Sequence, residues 1–569
     1  MAATAAPSRP HPGARPRSGR AGTRLWRACW VLAGAVTLGF LAVFFAAPAT
    51  NLIAKGFVDE AGDPTWSVMA STFAAPRTWR IIRFTLGQAA LGTALCLLLG
   101  VPGAHLLYRV RWPGRTLARG LVSVPFVLPT VVVGVAFRTL LADTGRLGFL
   151  GLDGSWQAIT AALVFFNYSV VVRTVGSTWS QLDPRRGEAA SALGASPARV
   201  FRTVTLPALG PAIASAASVV FLFCASAFGV VLVMGGTKYS TLETEIYLQT
   251  VEFLDLPAAS SLAIVQLLVV ALCLYLSGRA QHRMQRSLGG ATPRLLRFRP
   301  RRDLGPAVLT VLVALLLLLT PILTLLERSL HVGEDWSLGN YRALGGVGDS
   351  GLIVSVWQAL GNSLTTALQA TVLAVGLGAI VALLLSRRPA SRWGRAGLST
   401  TDGLFMLPLG VSAVTVGFGF LITLDRPPLD LRSSPILVPI AQAMVAIPLV
   451  VRVLLPSVRG IDPRQQEAAA ALGASPWRVL GTIDLPVLGR GLGLAVGFAL
   501  STSLGEFGAT SFLSRPDHMT LPVAIGRLIS QPGAQNYGMA MAASVLLAVM
   551  TVVIMSIAET MRPAEVTPW

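Results

Sequence analysis

Long apolar runs alternate with short Arg-rich segments along almost the whole chain. A helix that spans a bilayer needs roughly 20 apolar residues. Runs of that kind centre on 28–48, 81–107, 119–141, 156–177, 208–233 and 257–278. A second set centres on 305–327, 361–386, 399–424, 434–456, 489–513 and 536–558. The pattern predicts an all-α polytopic membrane protein with about twelve transmembrane helices.

Composition supports that reading. Of 569 residues, 53% are hydrophobic and 13% charged, and mean hydropathy is +0.65. Soluble domains carry about 25% charged residues. The net charge of +20 would suggest nucleic acid in a soluble protein. Here the arginines flank apolar runs and no nucleic-acid motif is present, so no nucleic-acid partner is expected. The cysteines at 29, 96, 224 and 273 sit in apolar runs and read as small buried hydrophobes.

Positive charge marks one side of the membrane. Arginines cluster before residue 28 and at 109–119, 185–202, 279–302, 387–395 and 459–478. The alternate loops are mixed or acidic, for example at Glu243, Glu245, Glu252 and Asp255. Both termini are therefore expected in the cytoplasm. The Arg-, Pro- and Gly-rich start reads as a disordered tail. The run that follows it reads as a retained helix.

The chain also repeats. "LDPRRGEAASALGASPARVFRTVTLP" from Leu182 and "IDPRQQEAAAALGASPWRVLGTIDLP" from Ile461 are identical at 17 of 26 positions, 279 residues apart (461 − 182). The same shift places Leu128-Pro129 on Leu407-Pro408, Arg173 on Arg452 and Phe228-Gly229 on Phe507-Gly508. Matched Pro, Arg and Gly point to duplication of a six-span unit. The expected organisation is a basic tail over 1–27, a first half over 28–281 and a basic linker over 282–304. A second half over 305–558 and a C-terminal tail over 559–569 follow. Duplicated transporters place a path between their halves.

The repeated loop reads as two short helices and a corner. Asp183 caps a helix that starts at Pro184, with Glu188 near its positive end. Ala189, Ala190, Ala192 and Leu193 favour helix and give it a shallow surface, and Gly194 ends it. Ser196-Pro197 starts a second helix that carries Arg199, and Leu206-Pro207 is expected to break into the next span. Asp462, Pro463, Glu467, Ala468, Ala469, Gly473, Ser475-Pro476, Arg478 and Leu485-Pro486 repeat the devices. Trp477 stands where the first copy has Ala198. A rigid helical knob of this kind suits a groove on a partner protein.

The pattern EAA-x3-G-x9-[IV]-x-LP in both loops resembles the signature of ABC importer permeases. Supporting stretches are "FTLGQAALGTAL" (84–95), "RWPGR" (111–115), "VFFNYSVVVR" (164–173), "CASAFGVVLVMGG" (224–236) and "SLGEFGATSFL" (503–513). The fused arrangement is similar to thiamine and ferric-iron permeases. The resemblance implies a type I ABC importer permease fold in the cytoplasmic membrane of a prokaryote. It implies that each loop docks one of two cytoplasmic ABC ATPases, and that an extracytoplasmic substrate-binding protein delivers a small solute. ATP and Mg are then expected on the ATPases, with no cofactor on this chain. The halves are not equivalent: Ala227 stands opposite Glu506, and Asn167 opposite Ala446.

No GxxxxGK[ST] phosphate loop is present, and the five histidines form no metal or catalytic motif, so no catalytic or metal residue is assigned. An ion-driven twelve-helix carrier is the alternative, and such carriers need ionisable groups in the membrane. Glu506 is the clearest such residue; it either favours a cationic passenger or pairs with nearby backbone. Pro129 and Pro408 either open the path or kink a packed helix. Phe228 and Phe507 either close a gate or fill a core.

Overall fold

The computed structural model describes residues 19–58, 63, 65–183, 185–235, 238–287, 295–333, 335–346, 351–387, 392–425, 430–432 and 434–561. Residues 1–18 of the expected tail, Pro184, part of the linker and residues 562–569 lie outside these. The first half contains α1 (Gly19–Leu41), α2 (Ala47–Lys55), α3 (Ser67–Ala74), α4 (Pro76–Tyr108), α5 (Arg115–Val127) and α6 (Thr130–Leu141). It continues through α7 (Trp156–Gln181), α8 (Arg185–Ala192), α9 (Pro197–Val200), α10 (Leu206–Ala225), α11 (Gly229–Gly235), α12 (Leu242–Val251) and α13 (Leu256–Ser287). The second half contains α14 (Pro300–Leu312), α15 (Thr320–Ser329), α16 (Gly339–Ala343), α17 (Val356–Leu385), α18 (Arg392–Gly410) and α19 (Ala413–Thr423). Then come α20 (Leu437–Arg459), α21 (Pro463–Ala471), α22 (Pro476–Val479), α23 (Leu485–Leu504), α24 (Gly508–Leu513), α25 (Leu521–Ser530) and α26 (Ala534–Thr560).

The 279-residue shift holds in three dimensions. It maps α9, α10 and α12 onto α22, α23 and α25 without any change of boundary. The long helices α4, α7 and α10 pack on one another, as do α17, α20 and α23. Among the described residues four separate apolar clusters fill the body, the largest drawing on both halves.

Ten helical runs among the described residues are long and apolar enough to cross a membrane. Two bent helix pairs are apolar enough only when taken together, each a broken span or a re-entrant loop: α5 with α6 at 101°, and α18 with α19 at 91°. The expected straight runs at 119–141 and 399–424 are therefore broken. In the first, Leu128 is extended ahead of Pro129, as a residue before proline prefers. In the second, Pro408 stays inside α18, and the bend falls at Ser412, whose hydroxyl accepts Val414 N at 3.0 Å. The runs at 208–233 and 489–513 also stop early, at Ala225 and Leu504, and resume as α11 and α24. Glu243 and Glu245 correct another expectation. They are buried in α12, not placed in an open loop, while Glu252 and Asp255 are exposed.

The first span of each half crosses to the other. α1 packs on α17 and α2 on α19, with Asn51 Nδ2 donating to Ile422 O at 3.0 Å. In return, α14 packs on α4 and α15 on α6. The expected tail is helical from Gly19, and the expected linker is helical up to Ser287. A two-residue parallel pairing ties Val110–Arg111 to Leu296–Arg297. Cys29 is exposed; the other three cysteines are buried.

Candidate coupling loops and passage

The two loops have the same local geometry. Asp183 Oδ1 accepts Arg185 N, and Asp462 Oδ1 accepts Arg464 N, both at 3.0 Å. Gly194 and Gly473 share φ +84°, the left-handed region that glycine adopts without cost. Around the first, Gly194 N donates to Ser191 O and Ala195 N to Ala190 O. Around the second, Gly473 N donates to Ala470 O and Ala474 N to Ala469 O. This pattern closes the last turn of each short helix. Ser196 and Ser475 then cap α9 and α22 by accepting Arg199 N and Arg478 N.

The expected break at Leu206-Pro207 and Leu485-Pro486 does not occur. Helix runs without interruption through 197–225 and 476–504. A widened turn at Phe201–Thr205 and another at Leu480–Asp484 precede the prolines. Leu206 N reaches back five residues to Phe201 O, and Leu485 N to Leu480 O. The wide turn accommodates a proline that has no N–H to give.

Glu188, Ala189, Arg199, Leu206 and Pro207 are exposed, as are Glu467, Ala468, Trp477, Arg478, Leu485 and Pro486. Ala190 and Ala469 are half-buried. Sequence reasoning placed Leu193 on the shallow helix surface and did not single out Leu193 or Leu472 as site residues. Leu193 is 90% exposed and Leu472 89%, each immediately before the turn glycine. The two leucines occupy the same place in the two loops, 279 residues apart (472 − 193). The available signal was the leucine itself, one residue before the glycine in both copies.

The loops differ in their supports. Trp477 meets Trp26 edge-on at 4.8 Å between ring centroids. The Arg387 guanidinium lies 4.9 Å from the Trp26 ring and 4.1 Å from Trp30. Burial pulls that guanidinium below its ordinary pKa, and the Asp484 charge opposes the shift. Gln466 Nε2 also donates to Asp484 Oδ1 at 2.7 Å. Beside the first loop, Phe201 packs 6.1 Å from Trp179, and Trp179 lies 5.1 Å from His105. His105 Nε2 contacts Asp303 Oδ1 at 2.9 Å, and Asp303 also accepts Arg299 N at 2.8 Å.

Between the halves lies a cavity of about 360 Å³. Pro129, Phe228, Pro408 and Glu506 line it, so four of the five residues expected at the path meet there. The fifth, Phe507, stacks on Phe228 with centroids 5.4 Å apart and planes at 21°. Two phenylalanines related by the repeat thus meet face to face. Both stand where helix is interrupted, and both are buried. Irregular backbone within a membrane body is tolerated when it is buried in protein. Pro129 backs onto Gly505 of the other half, where an added Cβ would lie 3.2 Å from the ring.

Glu506 caps α24. Its Oε1 accepts Ala509 N at 2.8 Å, and its Oε2 accepts Thr510 N at 3.0 Å and the Thr510 hydroxyl. Of its two expected roles, the geometry matches pairing with backbone. Asn167 Nδ2 donates to Leu163 O within its own helix at 2.9 Å.

Known proteins align with this arrangement. Residues 92–288 match the family described as binding-protein-dependent transport system inner membrane component. The thiamine transport system permease protein ThiP of Escherichia coli (strain K12) is 30% identical over 80% of this chain and 85% of its own. ThiP of Brucella abortus (strain 2308) is 26% identical over 84% of this chain and 87% of its own. The sulfate transport system permease protein CysT of Salmonella typhimurium is 32% identical over 40% of this chain and 84% of its own.

Proposed function

The chain belongs to the binding-protein-dependent inner-membrane transport components, the permeases of ABC importers, and from that premise we propose that its passenger is thiamine. The relatives that match along most of the chain are named for thiamine transport. Ferric iron, the other passenger expected from resemblance, is named by none of these relatives. A sulfate permease matching 40% of this chain shows that fold alone does not fix the passenger.

In this reading, both termini and both loops face the cytoplasm. Each loop docks one ATPase, and a binding protein delivers thiamine to the opposite face. ATP and Mg reside on the ATPases. The observation that carries the reading is the pair of loops with matched caps, matched turn glycines and matched exposed leucines. ATPase closure moves the loops, and α10 and α23 carry the motion inward because each loop continues into its span as one helix. Those helices end at the breaks that hold Phe228 and Phe507. Separating the two rings opens the seam between the halves, which is the two-state element.

The test is uptake of labelled thiamine into proteoliposomes that hold this chain with its ATPase and binding protein. Accumulation that needs enclosed ATP and persists without ion gradients supports the reading. Uptake that follows a proton gradient and ignores ATP overturns it.

A further inference from the structure

Three glutamates among the described residues are buried in the body: Glu243, Glu245 and Glu506. Glu245 is neutralised by Arg77, which donates from Nε at 3.0 Å and Nη2 at 3.1 Å. Glu506 is bound by the start of α24. Glu243 has no comparable partner. It is completely buried in the first turn of α12, and no cation pairs with it among the described residues. Its Oε2 accepts the Ser412 hydroxyl at 2.6 Å. Its Oε1 makes no hydrogen bond, although the Gln266 side chain lies beside it. The repeat puts Pro522 at the matched place (243 + 279), so this charge has no counterpart in the second half. A buried carboxylate without a cation is costly, and inside a membrane protein it marks a functional site by default.

Its surroundings give it a use. Ser412 belongs to the second half and lines the cavity, so the hydrogen bond crosses the seam between the halves. Tyr247 lies one turn further along the same face of α12 and packs 5.3 Å from Phe228, which stacks on Phe507. The carboxylate, the aromatic closure and the cavity are therefore mechanically joined. The cavity wall includes Phe126, Phe166, Phe223, Phe228 and Phe498, and among the described residues no Lys or Arg. Burial disfavours ionisation of the Glu243 carboxyl while the seam is closed; once the seam opens, its ionised form and the aromatic faces both favour a cation.

We propose that Glu243 selects the passenger's charge: when the seam opens, an organic cation replaces Ser412 as its partner. The proposal rests on the thiamine reading and deepens it, because the thiazolium ring of thiamine carries a permanent positive charge. Opening moves α12 away from α19 and frees the carboxylate from the Ser412 hydroxyl. An uncharged passenger offers nothing in exchange. Ser412 acts as a placeholder and is a positioning residue.

The test compares thiamine with an uncharged isostere whose thiazolium nitrogen is replaced by carbon. Both are offered to the reconstituted complex, and the ratio of transport rates is divided by the ratio of binding-protein affinities. The corrected preference of the unaltered complex for thiamine is expected to exceed about tenfold, the factor that 1.4 kcal/mol represents. Glu243→Gln is expected to bring it near one, while Ser412→Ala, which keeps the charge, retains it. An unaltered complex without corrected preference overturns the proposal before any variant is made. So does a Glu243→Gln complex that keeps the preference, or one that slows both compounds equally. An unaltered complex that moves neither compound defeats the thiamine reading itself, a result distinct from the loss of charge preference alone.

Discussion

The loops at 183–207 and 462–486 share a fold and differ in what holds them. Both have an Asp cap, a turn glycine at φ +84°, a Ser cap and a wide turn leading into a long span. The first is backed by a chain of contacts from Phe201 through Trp179 and His105 to Asp303. The second is backed by Trp477, Trp26, Trp30 and Arg387. In each case the outermost support comes from the first span of the other half: Asp303 on α14 for the first loop, and Trp26 and Trp30 on α1 for the second. The duplicated sequence therefore builds two like loops, while the crossing spans support them with different chemistry. One support runs through aromatic rings to a buried carboxylate, and the other through tryptophan rings to a guanidinium. The loops need not respond equally when their partners move.

The largest effect is expected where the loops are alike. Leu193→Asp with Leu472→Asp places charge where each loop would bury an apolar side chain. Loss of an interface anchor costs about 2 kcal/mol or more. The double variant should lose co-purification with the ATPase, and each single variant should retain part of it. Full retention in the double variant would remove the leucines from the contact.

The support that ends at the buried carboxylate comes next. Asp303 is buried and binds His105, Arg302 and Arg299 N. Asp303→Asn weakens hydrogen bonds to charged groups worth about 1.5–3 kcal/mol each. Limited proteolysis should show the first loop loosened and the second unchanged. Equal loosening would mean that the supports are not separate.

A smaller effect should be the same in both loops. Nothing lies within 4 Å of a Cβ added at Gly194 or Gly473, so substitution acts through backbone strain alone. Valine at either site should cost about 1–2 kcal/mol locally. Transport per ATP hydrolysed is expected to fall while the melting temperature of the spans holds. A drop in that temperature would place the strain in the body.

The smallest effect should be specific to the second loop. Trp477→Ala removes a ring pair worth about 0.5–1.5 kcal/mol. ATPase activity stimulated by the binding protein should fall a few fold. Ala198→Trp should give no matching gain, because Trp26 meets Trp477 of the other loop. A gain there would show that contact area alone decides coupling.

The repeat made much of this legible in the sequence. The caps at Asp183 and Asp462 and the turns at Gly194 and Gly473 are local devices, so spacing reveals them. The long spans follow from their apolar runs. What periodicity could not reveal were the breaks. Apolar residues continue through Leu128-Pro129 and through Ser226–Phe228, and hydropathy does not distinguish helix from buried irregular backbone. The prolines after each loop misled in the opposite direction, because one wide turn absorbs them. The crossing of α1 and α14 is tertiary and leaves no local signal. Glu243 looked like a loop residue because its neighbours are polar, and only packing shows its burial. The stack of Phe228 on Phe507 was half visible, since the repeat matched the residues but not their contact.

The most direct measurement is site-specific cross-linking from the two loop tips. Cys29 is the one exposed cysteine among the described residues, so Cys29→Ser provides a quiet background. Leu193→Cys and Leu472→Cys are then introduced separately, and each complex is treated with a short thiol-to-amine cross-linker with and without ATP. The account predicts a product with the ATPase from both positions, with a yield that changes with ATP. A product from neither position, in a complex that still transports, would contradict it.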